Sequence, residues 1–411
     1  MKAEQNTLKK YARLIVKTGL NLKTDQILVI TSPIECAPFA RLVAEAAWAE
    51  GARDVVMNWR DELFSRIRFI HADETVFEEF PDWQKDFYMS YLNRGAAFLS
   101  ISASDPEIFK GVDLNKLTIA QKTGNIALKE YRERLMNNEN AWCVVSVPTA
   151  SWASKVFPGI SEEEAMEKLW EVIFKAVRAD TEDPVEAWEE HKNNLKKRLD
   201  FLNASRFVEL KFKNAQGTDL SAKLPEGHIW LAGSERTKDG REFTANMPTE
   251  EVFTLPEKTG VNGRVTSSKP LNYNGNLIRD FSLDFKEGKI VNFAAKEGYE
   301  TLKKLIETDE GAGYLGEVAL VPHDSPVSNL NILFYNTLFD ENASCHLALG
   351  KAYSVCLQGS AAMNKEELEH KGVNDSLVHV DFMIGTSDME ITGVTKNGEE
   401  KPVFKNGNFA I

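Results

Sequence analysis

The chain has 411 residues, of which 43% are apolar and 27% charged, with 62 acidic against 49 basic residues and a net charge of −13. That length predicts two or three domains rather than one small core. The apolar share argues against wholesale disorder, and the acidic balance argues against a nucleic-acid binder, because backbone phosphates demand a basic footprint.

At the N-terminus the stretch MKAEQNTLKKYARLIVKTG has its apolar residues broken by charges, so it does not read as a signal peptide. Leu8 to Val16 carries apolar residues at helical spacing. Asp25 to Thr31 reads as a buried strand, Pro38 to Ala49 as a helix stopped near Gly51, and Ala52 to Asn58 as a second strand. This strand–helix–strand order is the unit of an open α/β layer. Further strands are expected at Ala96–Ile101, Leu117–Ala120 and Ala141–Val147, with a helix from about Ile126 to Leu135. No GxGxxG follows the first strand and no GxxxxGK[ST] occurs, so no nucleotide site is read from this layer. Ser161 is placed to cap a helix running to Ala176, and Asp183 to start a charged one from Pro184 to Phe201.

After Ala204 the texture changes to short strands with Gly and Asn turns, beginning with Phe207–Phe212 and continuing at 227–232 and Gly260–Thr266. Phe281 to Phe293 reads as strand, KEGK turn and strand, and Ala294 to Glu307 as one helix. The expected organisation is a first domain at 1–204, a three-layer, Rossmann-like open α/β sheet with a helical connector, and a second at 205–411, an α+β domain rich in antiparallel strands that carries the chemistry. Cys36, Cys143, Cys345 and Cys356 are scattered with no CxxC pair, which suits a reducing compartment. No run approaches the roughly 18 apolar residues of a membrane span, so a soluble, cytoplasmic protein without membrane or nucleic-acid partners is expected.

The chemistry concentrates in the C-terminal half. His379 and Asp381 lie two apart in LVHVDFMI, so a strand would put an imidazole and a carboxylate on one side, with Val380 and Phe382 on the other. His346 sits in an apolar neighbourhood five residues after Glu341, and a buried histidine needs partners. Glu317 opens an apolar run after glycines 311, 313 and 316, a costly place for an acid unless it is paired or metal-bound. Glu250 and Glu251 precede another apolar run and must diverge if extended. Each residue alone also fits a solvated face or a satisfied core polar group. With only one of Glu250 and Glu251 counted as a ligand, four carboxylates and two imidazoles without a thiolate suit a pair of hard or borderline divalent ions: zinc, cobalt, manganese or magnesium. Cys345 is read as core packing, and His323 and Asp324 as a loop at the cleft rim.

In NMPTEEVFTLP (246–256), GYLGEVALVP (313–322), NTLFDENASCHLALGKAY (336–353) and HVDFMIG (379–385) the sequence resembles the thermophilic metallo-aminopeptidase family, also called aminopeptidase T-like. The N-terminal segment TSPIECAPFARLVAEAAWAEGA fits the same family. The resemblance implies metal ligands at Glu251, Glu317, Glu341, His346, His379 and Asp381, with Glu317 bridging two ions, cobalt or zinc above all, held roughly 3.5–4 Å apart. It places an active-site tyrosine at Tyr353, suited to hydrogen-bond a developing oxyanion, and leaves Glu250 as the carboxylate to shuttle a proton. It further implies a homodimer that releases N-terminal amino acids from peptides with a free N-terminus. Two other readings of the residues stay open: another bimetallic hydrolase, such as a dipeptidase or amidase, and a metal-binding oligomeric scaffold without turnover.

Overall fold

The computed structural model describes residues 2–103, 105–273 and 275–411. It divides into two compact units, Met1–Asn193 with Ser234–Thr249, and Asn194–Gly233 with Glu250–Ile411. The sequence placed one boundary at 204/205. The division instead falls inside a long helix, Pro184–Ser205, and residues 234–249 return to the first unit. Backbone bonds hold that return: Thr244 donates to the Gly19 carbonyl at 2.8 Å, and Val144 to that of Ala245 at 2.7 Å.

In the first unit four parallel strands, β1 (Ile27–Pro33), β2 (Asp54–Arg60), β3 (Ala97–Ile101) and β4 (Trp142–Val145), lie in the order β2-β1-β3-β4. All seven residues of β1 are buried, as a central parallel strand covered on both faces requires. The helix Ala37–Ala49 follows β1 and buries Phe39, Val43 and Ala47. The helix Glu162–Ala176 starts where expected, the Ser161 hydroxyl accepting from the Glu164 amide at 3.3 Å. Leu117–Ala120 is no strand but lies within the helix Leu114–Ala127, whose start is set by Asp113 accepting from the Asn115 amide at 2.8 Å. A four-residue apolar run carries no period that separates strand from helix, and Asp113 was the overlooked cap. The helix expected at Ile126–Leu135 straddles the end of this one and the start of the next, Lys129–Met136.

The second unit carries two antiparallel sheets. The larger contains β5 (Phe207–Lys213), β6 (Asp219–Lys223), β11 (Val261–Thr266), β12 (Leu271–Tyr273), β13 (Asn276–Lys286), β14 (Lys289–Glu297), β18 (Glu390–Thr395), β19 (Glu400–Lys405) and β20 (Asn408–Phe409). The smaller runs β17 (His379–Met383), β16 (His346–Gly350), β15 (Leu315–Leu320), β10 (Val252–Thr254) and β7 (Leu231–Ala232). The remaining pair, β8 (Glu235–Arg236) and β9 (Glu242–Phe243), forms a hairpin in the first unit. The turn joining β13 to β14 places Glu287 and Gly288 at φ 50° and 81°, the two-residue hairpin geometry that matches strand twist. The helix expected at Ala294–Glu307 is a strand as far as Glu297 and a helix only over Tyr299–Ile306. Ala294, Ala295 and Glu297 are helix formers by propensity, but pairing with Ser282, Phe281 and Arg279 overrides it.

Alternation along the smaller sheet separates its two faces. Val318, Leu320, Leu347, Leu349 and Phe382 join the apolar core, where the ring of Phe382 lies 5.6 Å from that of Phe281 in the larger sheet. Glu317, His346, Ala348, His379 and Asp381 therefore share the opposite face. Among the described residues no helix is long and apolar enough to cross a membrane.

Candidate metal centre

Three neighbouring strands bring the polar side chains together. Glu317 on β15 pairs with Ala348 on β16, and Ala348 with Asp381 on β17, so one rung runs acid, methyl, acid. Strand spacing sets the two acids' backbones roughly 9–10 Å apart, and Ala348 between them contributes only a methyl group. On the flanking rungs His346 pairs with Met383 and His379 with Gly350. Glu251 arrives from the residue before β10, the strand beside β15. A bulge between Leu315 and Glu317 sets the direction of Glu317.

Two triads result: Glu251, Glu317 and His346, and Glu317, His379 and Asp381, each with its donor atoms within 4.8 Å of one another. His346 Nε2 lies 3.0 Å from Glu251 Oε2 and 3.5 Å from Glu317 Oε1. His379 Nε2 lies 3.6 Å from Glu317 Oε2 and 3.4 Å from Asp381 Oδ1. Each ring is oriented from behind. His346 Nδ1 donates toward the carbonyls of Glu341 and Ser344, both at 3.1 Å, and His379 Nδ1 donates to that of Lys351 at 2.7 Å. With Nδ1 committed to a carbonyl, Nε2 is left to face the carboxylates.

The charges are strongly perturbed, as a crowd of buried acids must be. Burial pushes the Glu317 carboxyl up to about 7, against the hydrogen bond from His346. Burial, with Asp381 and Glu251 adding repulsion, lifts Glu341 well above the usual carboxylate range. Burial opposes charge on His379, but Asp381 and Glu317 overcome it and hold the ring up at about 9. Burial likewise opposes charge on His346, and Glu251 and Glu317 raise it well above its ordinary value. Asp381 is held low by His379 despite burial. Its Oδ1 is the oxygen that faces His379 Nε2. Two groups of oxygen and nitrogen donors that share Glu317 and contain no thiolate fit two divalent cations.

The other expected residues fall around this cluster. Glu341 is buried and interacts electrostatically with Asp381, Glu251 and His346, but stands outside both close triads. Tyr353 stacks edge-on against His379 with ring centroids 4.8 Å apart, and Phe253 supports it from 6.0 Å. Glu250 is buried outside the triads and carries an electrostatic neighbour in Arg198. Cys345 is core packing: its buried thiol bonds the Val321 carbonyl at 3.2 Å. His323 and Asp324 are exposed loop residues. Sequence reasoning overlooked Ala348 and the Lys351 carbonyl. The alternation of HLALG and the H-x-D spacing pointed to the first once the strands were paired; the second depends on a partner 28 residues away.

Comparison with known proteins follows the same lines. The family model described as thermophilic metalloprotease (M29) matches residues 4–409. The chain is 49% identical over 407 residues to Aminopeptidase 2 of Geobacillus stearothermophilus, spanning 99% of this chain and 98% of that one. It is 47% identical over 404 residues to Aminopeptidase AmpS of Bacillus subtilis (strain 168), with 98% of each covered. The solved structure of wild-type AmpT from Thermus thermophilus matches with a TM-score of 0.91 at 40% identity, covering 99% of this chain and 100% of that chain.

Proposed function

The chain belongs to the thermophilic metalloprotease (M29) family and is a metal-dependent aminopeptidase, and from that premise we propose that Glu317 is shared by two divalent cations, with Glu251 and His346 completing one side and His379 and Asp381 the other. The observation that carries this reading is the division of one carboxylate: Glu317 Oε1 faces His346 and Oε2 faces His379. Glu341 is proposed as a further ligand beside the cluster. Cobalt and zinc suit the donor set best, with manganese and magnesium as alternatives.

When bound, the cations supply a lowered water pKa and electrophilic assistance to a carbonyl. The protein's own residues do the rest. The Nδ1 bonds of His346 and His379 lock ring orientation, so no reorganisation is needed as charge moves. Glu250 is proposed to take the water proton and return it to the leaving amine. Tyr353, packed beside His379, is proposed to donate a hydrogen bond to the oxygen on which charge develops. The second unit, Asn194–Gly233 with Glu250–Ile411, is then the catalytic one.

Substrates are peptides with a free N-terminus, a reading supported by the printed names of the relatives. A homodimer is proposed as well. In its support, the helix Glu62–His71 exposes Leu63, Phe64, Ile67 and Ile70 at 50–62%, a row of apolar side chains spaced along one helical face. Four free thiols fit a reducing, cytoplasmic setting.

The test pairs metal content with turnover. Wild type and Glu317→Gln are assayed for bound cobalt or zinc and for cleavage of a free-amine and an N-acetylated peptide. The wild type should hold two ions and cleave only the free amine. The variant should lose metal and more than the 10–100-fold in activity that outer partners typically cost. Turnover of the variant within a few-fold of wild type would remove Glu317 from the shared position.

A further inference from the structure

The NASCH stretch contributes His346 to the site, but its first residue has no part in the mechanism above. We propose that Asn342 is a positioning residue: its side-chain amide ties the backbone that delivers Glu250 and Glu251 to the turn that delivers Glu341 and His346, and so fixes the spacing between those two sets of side chains. This rests on the metal reading of the site.

Asn342 is fully buried, with no exposed surface. Its Oδ1 accepts from the Glu250 amide at 2.7 Å, and its Nδ2 donates to the Leu338 carbonyl at 2.8 Å, with Glu341 Oε1 at 3.5 Å from the same nitrogen. The two short bonds fix the orientation of the amide. Turned over, it would set N–H against the Glu250 N–H and oxygen against the Leu338 carbonyl. The β10 ladder begins only at Val252, so the approach through Glu250 and Glu251 lies outside the sheet, and this side chain ties it at the Glu250 amide.

The other end of the tether is rigid. The turn Thr337–Asp340 starts on Asn336, whose side chain accepts from the Leu338 amide at 3.1 Å. Asp340 then accepts from the amides of Phe334 and Asn336 at 2.9 and 3.1 Å. Immediately beyond it, the Glu341 carbonyl receives the Nδ1 proton of His346. One turn thus orients a carboxylate and an imidazole directly and, through Asn342, the two acids before β10. Other residue types cannot make these bonds here. Asp offers no donor to Leu338 and adds a negative charge beside Glu341. Leu has the shape and neither bond. Gln is a methylene too long for a site without free space.

The experiment uses the full chain and Co²⁺ alone as probe, followed by its d–d absorption, together with cleavage of leucine p-nitroanilide. Asn342→Leu is compared with Asn140→Leu, which removes a buried asparagine of the first unit that donates to the Leu92 and Ala96 carbonyls. Wild type should take up two Co²⁺ per chain. Asn342→Leu should bind about tenfold more weakly, the scale of other supporting partners, with a changed d–d band. At saturating Co²⁺ its kcat should stay depressed while KM holds within about threefold. Asn140→Leu should lose stability but keep the wild-type affinity and spectrum. If Asn342→Leu is not recovered folded, Asn342→Ala, which removes the same bonds without added branching, carries the comparison. Wild-type affinity and spectrum in the Asn342 variant would overturn the tether and leave the metal reading intact, as would equal weakening by Asn140→Leu. A wild-type chain that binds no Co²⁺ would remove the metal reading and the tether with it.

Discussion

At the scale of single residues, the structure gives particular side chains separable tasks. Tyr353 lies against the His379 ring, and loss of its hydroxyl in Tyr353→Phe should lower kcat by about 10²–10³-fold, as for a lost oxyanion donor, with the Co²⁺ affinity unchanged. Steady-state kinetics beside a metal titration checks both halves. Asp375 works through charge. Burial opposes its ionisation, but Lys351 and Lys365, at 3.0 and 2.9 Å, hold its carboxyl down at about 2 from an ordinary 3.8. The depressed value means the stabilisation is fully present above about pH 4 and disappears as pH falls through the folded value. Asp375→Asn should therefore cost about 1–2 kcal/mol at pH 7, allowing for partial exposure, and the gap should close below pH 4. Urea denaturation of metal-free protein across that range measures it. That Glu251, Glu317, His346, His379 and Asp381 would gather was expected from the set taken together, since each of them alone also suits a solvated face or a satisfied core polar group. The roles of Asn342 and of the Lys351 carbonyl were not, because the partners lie 92 and 28 residues away along the chain.

Among the elements, β15 shows how tightly the backbone is fitted around the cluster. A Cβ at Gly316 would run into the carbonyl oxygens of Gly350 and Lys351, at the bulge that aims Glu317. Lys351 is also the residue whose carbonyl orients His379. Gly316→Ala should thus cost about 1–3 kcal/mol of stability, as overpacking does, and should weaken Co²⁺ binding as well. A Gly→Ala change with an ordinary penalty and unaltered metal affinity would show that the bulge is not what aims Glu317. The same strands explain what could be read in advance. β1 is an apolar run whose burial decides its type, and it was visible in the sequence as a buried strand. The strand end at Ala294–Glu297 was not, since its residues prefer helix and only the partner strand overrides them. Leu117–Ala120 failed for the opposite reason: a run too short to show any period.

For the molecule as a whole, three buried acids, Glu251, Glu317 and Glu341, beside half-buried Asp381 make the metal-free protein self-repelling. Binding of cations to the folded state alone should raise stability by about 2.7 kcal/mol at a free concentration 100-fold above Kd. Removal of metal with a chelator should lower Tm, and Co²⁺ should restore it. A Tm indifferent to chelator would count against the cluster as a metal site. The exposed row on Glu62–His71 makes an independent prediction. Phe64→Glu with Ile67→Lys should convert the proposed dimer to monomers in light scattering, because charge at a fully desolvated apolar contact is costly. The return of residues 234–249 to the first unit was the least legible feature, being set by bonds to Gly19 and Val144 rather than by any change in composition. A last consequence comes from the rung Glu317, Ala348, Asp381. Its width is a property of hydrogen-bonded strands, which neighbouring loops cannot stretch or shrink. The gap is in effect a caliper, and altering which ion the protein prefers would mean lengthening or shortening side chains on a frame whose pitch is already set. A large ion such as Ca²⁺, with its six to eight oxygen ligands at about 2.3–2.6 Å, should bind more weakly than zinc or cobalt, because each donor group on this frame includes an imidazole.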